Sequence, residues 1–129
     1  LYYEDKKRNW RRVFRTFRFH SARHLPLLDD NHICKKMHGH TFNLKVYITG
    51  KVDNKNGFII DFYDIDQIVN DRIISKIDHK VLNDLPNLSN PTSEHLCKWI
   101  WDKLYQHFNS LTKIILSEDH GTGIVYKGE

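Results

Sequence analysis

The fold of this chain is decided by the stretch Cys34-Lys35-Lys36-Met37-His38-Gly39-His40, which continues directly into Thr41-Phe42-Asn43-Leu44-Lys45-Val46-Tyr47-Ile48-Thr49. Apolar and polar side chains alternate along residues 40–49, which predicts a β-strand. Because residues i and i+2 of a strand point to the same face, His38 and His40 share a face with Phe42. Two imidazoles about 7 Å apart along a strand can bind one metal ion if their ends converge. A pair of ordinary strand histidines is the alternative.

Length and composition indicate one globular domain. The chain has 129 residues, 40% hydrophobic and 28% charged, which is enough to form a core of its own. No apolar run approaches the roughly 18 residues of a membrane helix, and no secretory signal pattern opens the chain. Two cysteines, Cys34 and Cys97, do not make a disulfide framework. We therefore expect a cytoplasmic protein with no membrane partner.

The formal net charge of +4 is concentrated at the start of the chain. Residues 1–18 contain seven lysines and arginines against Glu4 and Asp5. We expect a basic extension over residues 1–12, followed by a single domain over residues 13–129. A solvated first strand, or a strip that attracts an anionic substrate, is favoured over nucleic-acid binding through this segment.

Period and capping place the other elements. Residues 13–19 alternate as a strand, and residues 112–118 and 123–127 predict a terminal hairpin. One helix is expected to begin at the N-cap Asp61 and a second at the cap Thr92, each with an apolar stripe at helical spacing. The order strand, strand, helix, helix, strand, strand predicts an α+β fold, an antiparallel four-stranded sheet with two helices on one face.

Two groups of candidate residues lie in the opening stretch. His38 and His40 offer neutral imidazoles, which suit zinc, although a catalytic zinc usually takes three protein ligands. Cys34 lies beside Lys35 and Lys36, and a nearby dication would favour its thiolate as a proton-abstracting base. A cysteine that merely fills space is the alternative.

Two further candidates come later in the chain. Asp78 and His79 are adjacent, and a carboxylate near an imidazole fixes its tautomer if the turn brings the two side chains together. Glu118 is in step with the inward-facing residues of its strand and needs a partner there. That partner is either a ligand with two adjacent N–H donors or an arginine or lysine of the chain itself.

Taken in order, these motifs resemble the 6-pyruvoyl-tetrahydropterin synthase family, most closely its bacterial 6-carboxy-5,6,7,8-tetrahydropterin synthase branch. The resemblance runs from about residue 17 to the last residue. The segments that carry it are Cys34-x3-His38-Gly39-His40, Gly57-Phe58-Ile59-Ile60-Asp61-Phe62, Asp78-His79-x2-Leu82-Asn83, Asn90-Pro91-Thr92-Ser93-Glu94, Glu118, and Tyr126-Lys127-Gly128-Glu129.

The resemblance implies the tunnelling fold (T-fold), in which sheets of several subunits close into a barrel, here a homo-hexamer built as a dimer of trimers. It implies a zinc-dependent lyase that converts 7,8-dihydroneopterin triphosphate to 6-carboxy-5,6,7,8-tetrahydropterin, acetaldehyde and triphosphate in queuosine biosynthesis. A 6-pyruvoyl-type lyase and a non-catalytic pterin-binding paralogue are the alternatives. The implied roles are catalysis for Cys34, Asp78 and His79, substrate binding for Glu118, Thr92 and Ser93, and zinc ligation for His38, His40 and His24.

One position departs from the family pattern. The family's third zinc ligand is a histidine four residues after a phenylalanine, and counted from Phe19 that position is Arg23. His20 and His24 flank it, but an odd shift turns a strand residue to the opposite face. A β-bulge would restore His24 as the third ligand. The alternatives are a weakened two-histidine site or a guanidinium standing where the cation would be.

Overall fold

Four strands form one antiparallel sheet in the computed structural model, which describes residues 8–129. The order across the sheet follows the order along the chain, as consecutive antiparallel strands allow. The four-stranded sheet and its two helices confirm the α+β prediction. The strands are β1 (Trp10–Arg23), β2 (His38–Lys51), β3 (Leu111–Glu118) and β4 (Gly123–Tyr126).

β1 is longer than its apolar alternation predicts, because it pairs with β2 without interruption from Trp10↔Lys51 to Arg23↔His38. Every second residue from Phe17 to the strand's end is buried, so the inward face continues through polar residues. The sequence predicts a long connection from residue 21 onward. The last three residues of β1 belong instead to this ladder, and their side chains therefore have fixed faces.

The first helix, α1, begins with Phe62–Val69, passes through a wider π-helical turn at Asn70–Ile74 and ends with Ser75–Ile77. Its predicted cap is confirmed, since the Asp61 side chain accepts a hydrogen bond from the Tyr63 amide. Its buried residues recur every four positions, which exceeds the 3.6-residue turn of a regular α-helix. The wider turn compensates for that drift and keeps one face on the core. These residues are Ile65, Val69, Ile73 and Ile77.

The second helix, α2, spans Ser93–Tyr105 and begins at the predicted cap Thr92, whose side chain accepts from the His95 amide. It buries an apolar stripe against the same face of the sheet, consisting of Leu96, Cys97, Ile100, Trp101 and Leu104. The core therefore lies between the helices and the inward face of the strands. None of the helices in residues 8–129 has the length and apolar character of a membrane span.

Residues 58–60, expected to complete a strand pair after the turn at residues 53–57, are not a strand. The Asp53 amide donates to the Phe58 carbonyl at 2.8 Å, which closes the turn on itself. Ile59 and Ile60 pack against the edge of the core instead.

Candidate active site

His38 and His40 lie on the inward face of β2, as their spacing predicts. Their ring centroids are 4.7 Å apart and their ring planes are nearly perpendicular, at 84°. The Nε2 atom of each ring is buried and has no hydrogen-bond partner within residues 8–129. Two buried, unsatisfied imidazole nitrogens are costly for a folded chain unless something binds them.

The protonation of His38 is set by its surroundings. Its Nδ1 lies 2.7 Å from the carbonyl oxygen of Lys36, and a carbonyl oxygen only accepts hydrogen bonds, so Nδ1 carries the proton. In the neutral ring the buried Nε2 then presents a lone pair, as in a metal-binding histidine whose other nitrogen donates to a carbonyl. Burial lowers the pKa of His40, and Arg23 and the neighbouring histidines lower it further against the opposing effect of Glu118. Both rings are thus suited to bind a metal ion in their neutral forms.

Arg23 occupies the position where a third histidine would stand, on the inward face of β1 directly across from His38. It is 6% exposed. Its Nη1 donates to the Pro91 carbonyl at 3.1 Å and to the Ser93 hydroxyl at 3.2 Å. Its Nη2 donates to Oε1 of Glu118 at 2.5 Å. Because a guanidinium has no lone pair to offer, this residue cannot complete a metal site.

His24 is the first residue after β1 and is half-buried. The β1–β2 ladder has no bulge, so the irregularity that would have moved His24 to the ligand face is absent between the paired residues of β1 and β2. Its backbone is held by Asn83, whose side chain accepts from the His24 amide and donates to its carbonyl. The buried Nε2 atoms of His38 and His40 fit a metal ion. The bulge that the sequence requires to bring His24 to the same face is not present in the β1–β2 ladder.

Glu118 ends β3 with its side chain 7% exposed and both carboxylate oxygens engaged. Oε1 accepts from Arg23 and from the Ser93 hydroxyl at 3.3 Å, and Oε2 accepts from the Thr122 hydroxyl at 2.9 Å. Burial alone would raise the pKa of Glu118. The bond from Thr122 and the charges of Arg23 and the two nearby histidines reverse this and lower that pKa. Of the two partners that the sequence leaves open, the structure supplies the arginine.

His120 joins this group from the turn between β3 and β4. Its Nε2 lies 3.0 Å from Oε2 of Glu118, and its ring centroid is 5.7 Å from that of His40. One ligand atom each from His40, Glu118 and His120 lie within 4.8 Å of one another, the only such group of three in the part of the chain that the structure describes. Sequence reasoning missed His120. Its position two residues after an inward-facing carboxylate is the signal that would have found it.

Asp78 and His79 are brought together by an unusual backbone. His79 has a φ of 59°, which turns its ring back so that Nδ1 lies 3.0 Å from Oδ1 of Asp78. The same Asp78 oxygen accepts from the His20 amide at 2.9 Å, while the His79 amide donates to the His20 carbonyl at 2.6 Å. The bond from the His20 amide, together with the His79 ring, lowers the pKa of Asp78. The predicted pairing of these two side chains is present.

The Asp78–His79 turn borders a cavity of about 490 Å³ beside the ends of β1 and β2. His20 lines it together with His79 and Thr41, and its Nδ1 lies 2.9 Å from the Thr41 hydroxyl. The His20 and His79 rings meet edge to face at 5.8 Å. His40 also lines this cavity, so His79 and one member of the histidine pair border one space.

The remaining predicted residues are Cys34, Thr92 and Ser93. Cys34 sits in a short 3-10 turn, Ile33–Lys35, half-buried and as a free thiol. Burial raises the pKa of the other cysteine, Cys97, to about 12, which keeps it an inert core thiol. Ser93 contacts Glu118, whereas the hydroxyl of Thr92 is used to cap α2.

An antiparallel sheet with two helices on one face, and a half-buried histidine pair at the start of its second strand, defines a T-fold protein. Solved structures agree on the fold. The 6-pyruvoyl tetrahydropterin synthase of Caenorhabditis elegans superposes with a TM-score of 0.85 at 24% identity, over 93% of this chain and 96% of that one. The enzyme of Plasmodium falciparum gives 0.68 at 16% identity, over 92% and 97%.

Sequence comparison gives the family. The model for 6-pyruvoyl tetrahydropterin synthase matches residues 12–129, and the chain therefore belongs to that family, a family of lyases. A protein of Archaeoglobus fulgidus provisionally named 6-carboxy-5,6,7,8-tetrahydropterin synthase is 37% identical over 67% of this chain and 71% of its own. The 6-pyruvoyl tetrahydrobiopterin synthase of Dictyostelium discoideum is 33% identical over 74% of each chain. The family resemblance drawn from the motifs is confirmed.

Proposed function

We propose that this protein is a zinc-dependent lyase that converts 7,8-dihydroneopterin triphosphate to 6-carboxy-5,6,7,8-tetrahydropterin, acetaldehyde and triphosphate, the reaction used in queuosine biosynthesis. The observation that carries the proposal is the pair of buried, unpaired Nε2 atoms of His38 and His40, which bind nothing within residues 8–129. Relatives named for this product, from Archaeoglobus and from Synechocystis at 30% identity, support it.

His38 and His40 would hold the metal. When bound, zinc supplies a Lewis acid that polarises the side-chain hydroxyls of the substrate. The chain's own contribution is to orient the His38 ring and to favour the neutral form of His40. The Lys36 carbonyl fixes the His38 ring, and burial favours the neutral form of His40.

Cys34 would take the proton from the substrate, and the Asp78–His79 pair would act as the relay. With Nδ1 bonded to Asp78, His79 presents Nε2 outward, where it can accept or donate a proton. Asp78 stays ionised because its pKa is lowered, which stabilises the charged form of the His79 ring during transfer. The backbone of β1 holds this turn in place, since the His20 amide donates to Asp78 and the His20 carbonyl accepts from the His79 amide.

Substrate binding through Glu118, Thr92 and Ser93 remains a proposal carried over from the family. Oε1 of Glu118 already accepts hydrogen bonds from Arg23 and Ser93, and Oε2 accepts one from Thr122 and lies 3.0 Å from Nε2 of His120. A pterin could therefore bind Glu118 only by displacing Arg23, Thr122 or His120. This observation favours a second candidate function, a non-catalytic pterin-binding paralogue. A lyase that releases a 6-pyruvoyl product is the other alternative, since relatives of that name are equally similar.

A homo-oligomer, a hexamer of two trimers, is part of the proposal, as is a cytoplasmic location. β1 and β4 are the edge strands of the sheet, and exposed edges are usually paired or protected. Phe14 on β1 and Val125 on β4 are 50% and 57% exposed, which places apolar surface on both edges. Pairing of edge strands between subunits would cover it.

The test is to incubate zinc-loaded protein with 7,8-dihydroneopterin triphosphate and identify the products by mass spectrometry. Acetaldehyde with a carboxy-pterin supports the proposal. A pyruvoyl-pterin product would instead indicate the lyase that releases a 6-pyruvoyl product. Tight pterin binding without turnover would indicate the non-catalytic pterin-binding paralogue. Cys34→Ala should abolish turnover while leaving zinc content unchanged, and Cys97→Ala, the matched cysteine control, should retain turnover.

A further inference from the structure

The neighbourhood of Arg23 contains a second set of metal-ligand atoms. His40, Glu118 and His120 come from β2, β3 and the turn after β3, and their ligand atoms lie within 4.8 Å of one another. Oε2 of Glu118 is 3.0 Å from Nε2 of His120, and Oε1 is 4.0 Å from Nδ1 of His40. Ligands about 2.0–2.2 Å from a shared zinc ion have separations in this range.

We infer that His40, Glu118 and His120 form a metal site in this chain, on the side of the His40 ring where Nδ1 faces Glu118. The inference rests on the proposed function only in using His40 as a metal ligand. Glu118 is here a metal ligand in place of a substrate-binding residue, and the site does not include His38. Two imidazoles and one carboxylate, with a further position open, are a ligand set of catalytic zinc sites.

The surroundings of Glu118 suit a ligand carboxylate. Arg23 donates to Oε1 from the buried side, and Thr122 donates to Oε2 from the turn. Ligand carboxylates are usually held by such outer bonds, which fix their orientation. Arg23 then supports the site as a positioning residue. The Glu118 carboxylate, which contacts both Arg23 and the metal ion, would separate the two positive charges.

His120 is placed so that it can enter and leave such a site. Its side chain is 58% exposed, whereas that of His40 is 17% exposed and that of Glu118 is 7% exposed. Two ligands are thus fixed in the wall of the site, and the third closes it from a surface turn. Replacement of His120 leaves no cavity in the core, so the variant is expected to fold.

The experiment is a Co²⁺ titration of metal-free protein, followed by visible absorption and by metal analysis. The parent should bind one Co²⁺ per chain at this centre. His120→Ala should weaken binding by more than the roughly 10- to 100-fold that loss of a supporting residue causes. His24→Ala, which removes the alternative third ligand, and His107→Ala, an exposed histidine after α2, should bind as the parent does.

Retention of parental Co²⁺ affinity by a folded His120→Ala protein overturns the inference, whatever His24→Ala does. A second measurement uses the unaltered protein. Zinc should protect His120 from diethyl pyrocarbonate, read by peptide mass spectrometry, and equal modification with and without zinc also overturns it. Neither readout requires turnover. If metal binding depends on His120 but the protein makes no product, the metal-site inference stands and the proposed lyase function is rejected.

Discussion

Arg23 and Glu118 form a buried ion pair at the point where the family pattern expects a histidine. Their side chains are each 7% exposed. Among the contacts of residues 8–129, the other polar groups that these two side chains contact are hydroxyls, a carbonyl and histidines, so each depends on the other for a permanent opposite charge. Breaking such a pair leaves a buried charge without compensation. Stability and site geometry are therefore joined at these two residues.

Glu118→Gln should lower the free energy of unfolding by about 3–5 kcal/mol, because Arg23 would stay buried without its carboxylate partner. Urea unfolding followed by circular dichroism measures this change. Asp66→Asn is the matched control, since Asp66 pairs with Arg15 at the surface, with side chains 33% and 43% exposed. It should cost less than about 1 kcal/mol. Equal losses in the two variants would contradict the role given to burial.

The same carboxylate predicts the direction of pH dependence. The pKa of Glu118 is lower in the folded chain than in the unfolded one, so the unfolded state binds more protons in acid. Its stabilising effect is complete above the ordinary glutamate pKa of about 4.3 and is lost as pH falls through the lower folded value. Unfolding free energies between pH 7 and pH 3 should fall more steeply for the parent than for Glu118→Gln. Parallel curves would contradict the assignment.

Some contacts of individual residues could be predicted from the sequence, and others could not. The shared face of His38 and His40 follows from strand period alone and is confirmed. His79, which pairs with Asp78, has a positive φ that no local pattern indicates, because such a φ is uncommon for residues other than glycine. The contact between Arg23 and Glu118 joins residues 95 positions apart. Such a pair becomes visible only when the register of three strands is known.

At the scale of elements, capping and period predicted the two helix starts, since Asp61 and Thr92 both cap as expected. The π-helical turn of α1 was not predicted, because a four-residue spacing of isoleucine and valine is compatible with ordinary helix over a short window. The end of β1 was missed for another reason. Its inward positions there are serine and arginine, so hydrophobic alternation ceases before the ladder does.

The end of the chain packs on α2 through a glycine. Gly128 has a φ of 82°, and a Cβ built there would lie 2.5 Å from Cζ2 of Trp101. Gly128→Ala should therefore destabilise the fold by about 1–3 kcal/mol more than Gly57→Ala, through overpacking. Gly57 has a similar φ of 77° with open space around it, so it reports the backbone strain alone. Equal shifts in the two melting temperatures would contradict the Trp101 contact.

At the scale of the whole molecule, the basic start of the chain is partly explained by the fold. Residues 10–18 belong to β1, and residues 1–7 lie outside the described part of the chain. Arg15 pairs with Asp66 on α1, and Arg18 pairs with Asp119 after β3, both at 2.8 Å. These arginines connect elements of the domain while their side chains stay 43% and 58% exposed.

The proposed homo-oligomer can be tested in solution. Sedimentation velocity should give a particle of about six times the 15.5 kDa chain mass if edge strands β1 and β4 pair between subunits. Val125→Lys, which puts a charge on the edge of β4, should shift the protein toward smaller species. A parent protein that sediments as a monomer at micromolar concentration would contradict the proposed assembly.

The central claim is that this family member binds its metal at His40 although position 23 is an arginine. Anomalous diffraction at the zinc absorption edge, from crystals grown with zinc, measures this most directly. One peak per chain is expected within bonding distance of a His40 ring nitrogen. Well-ordered crystals with no zinc peak at His40 would contradict it.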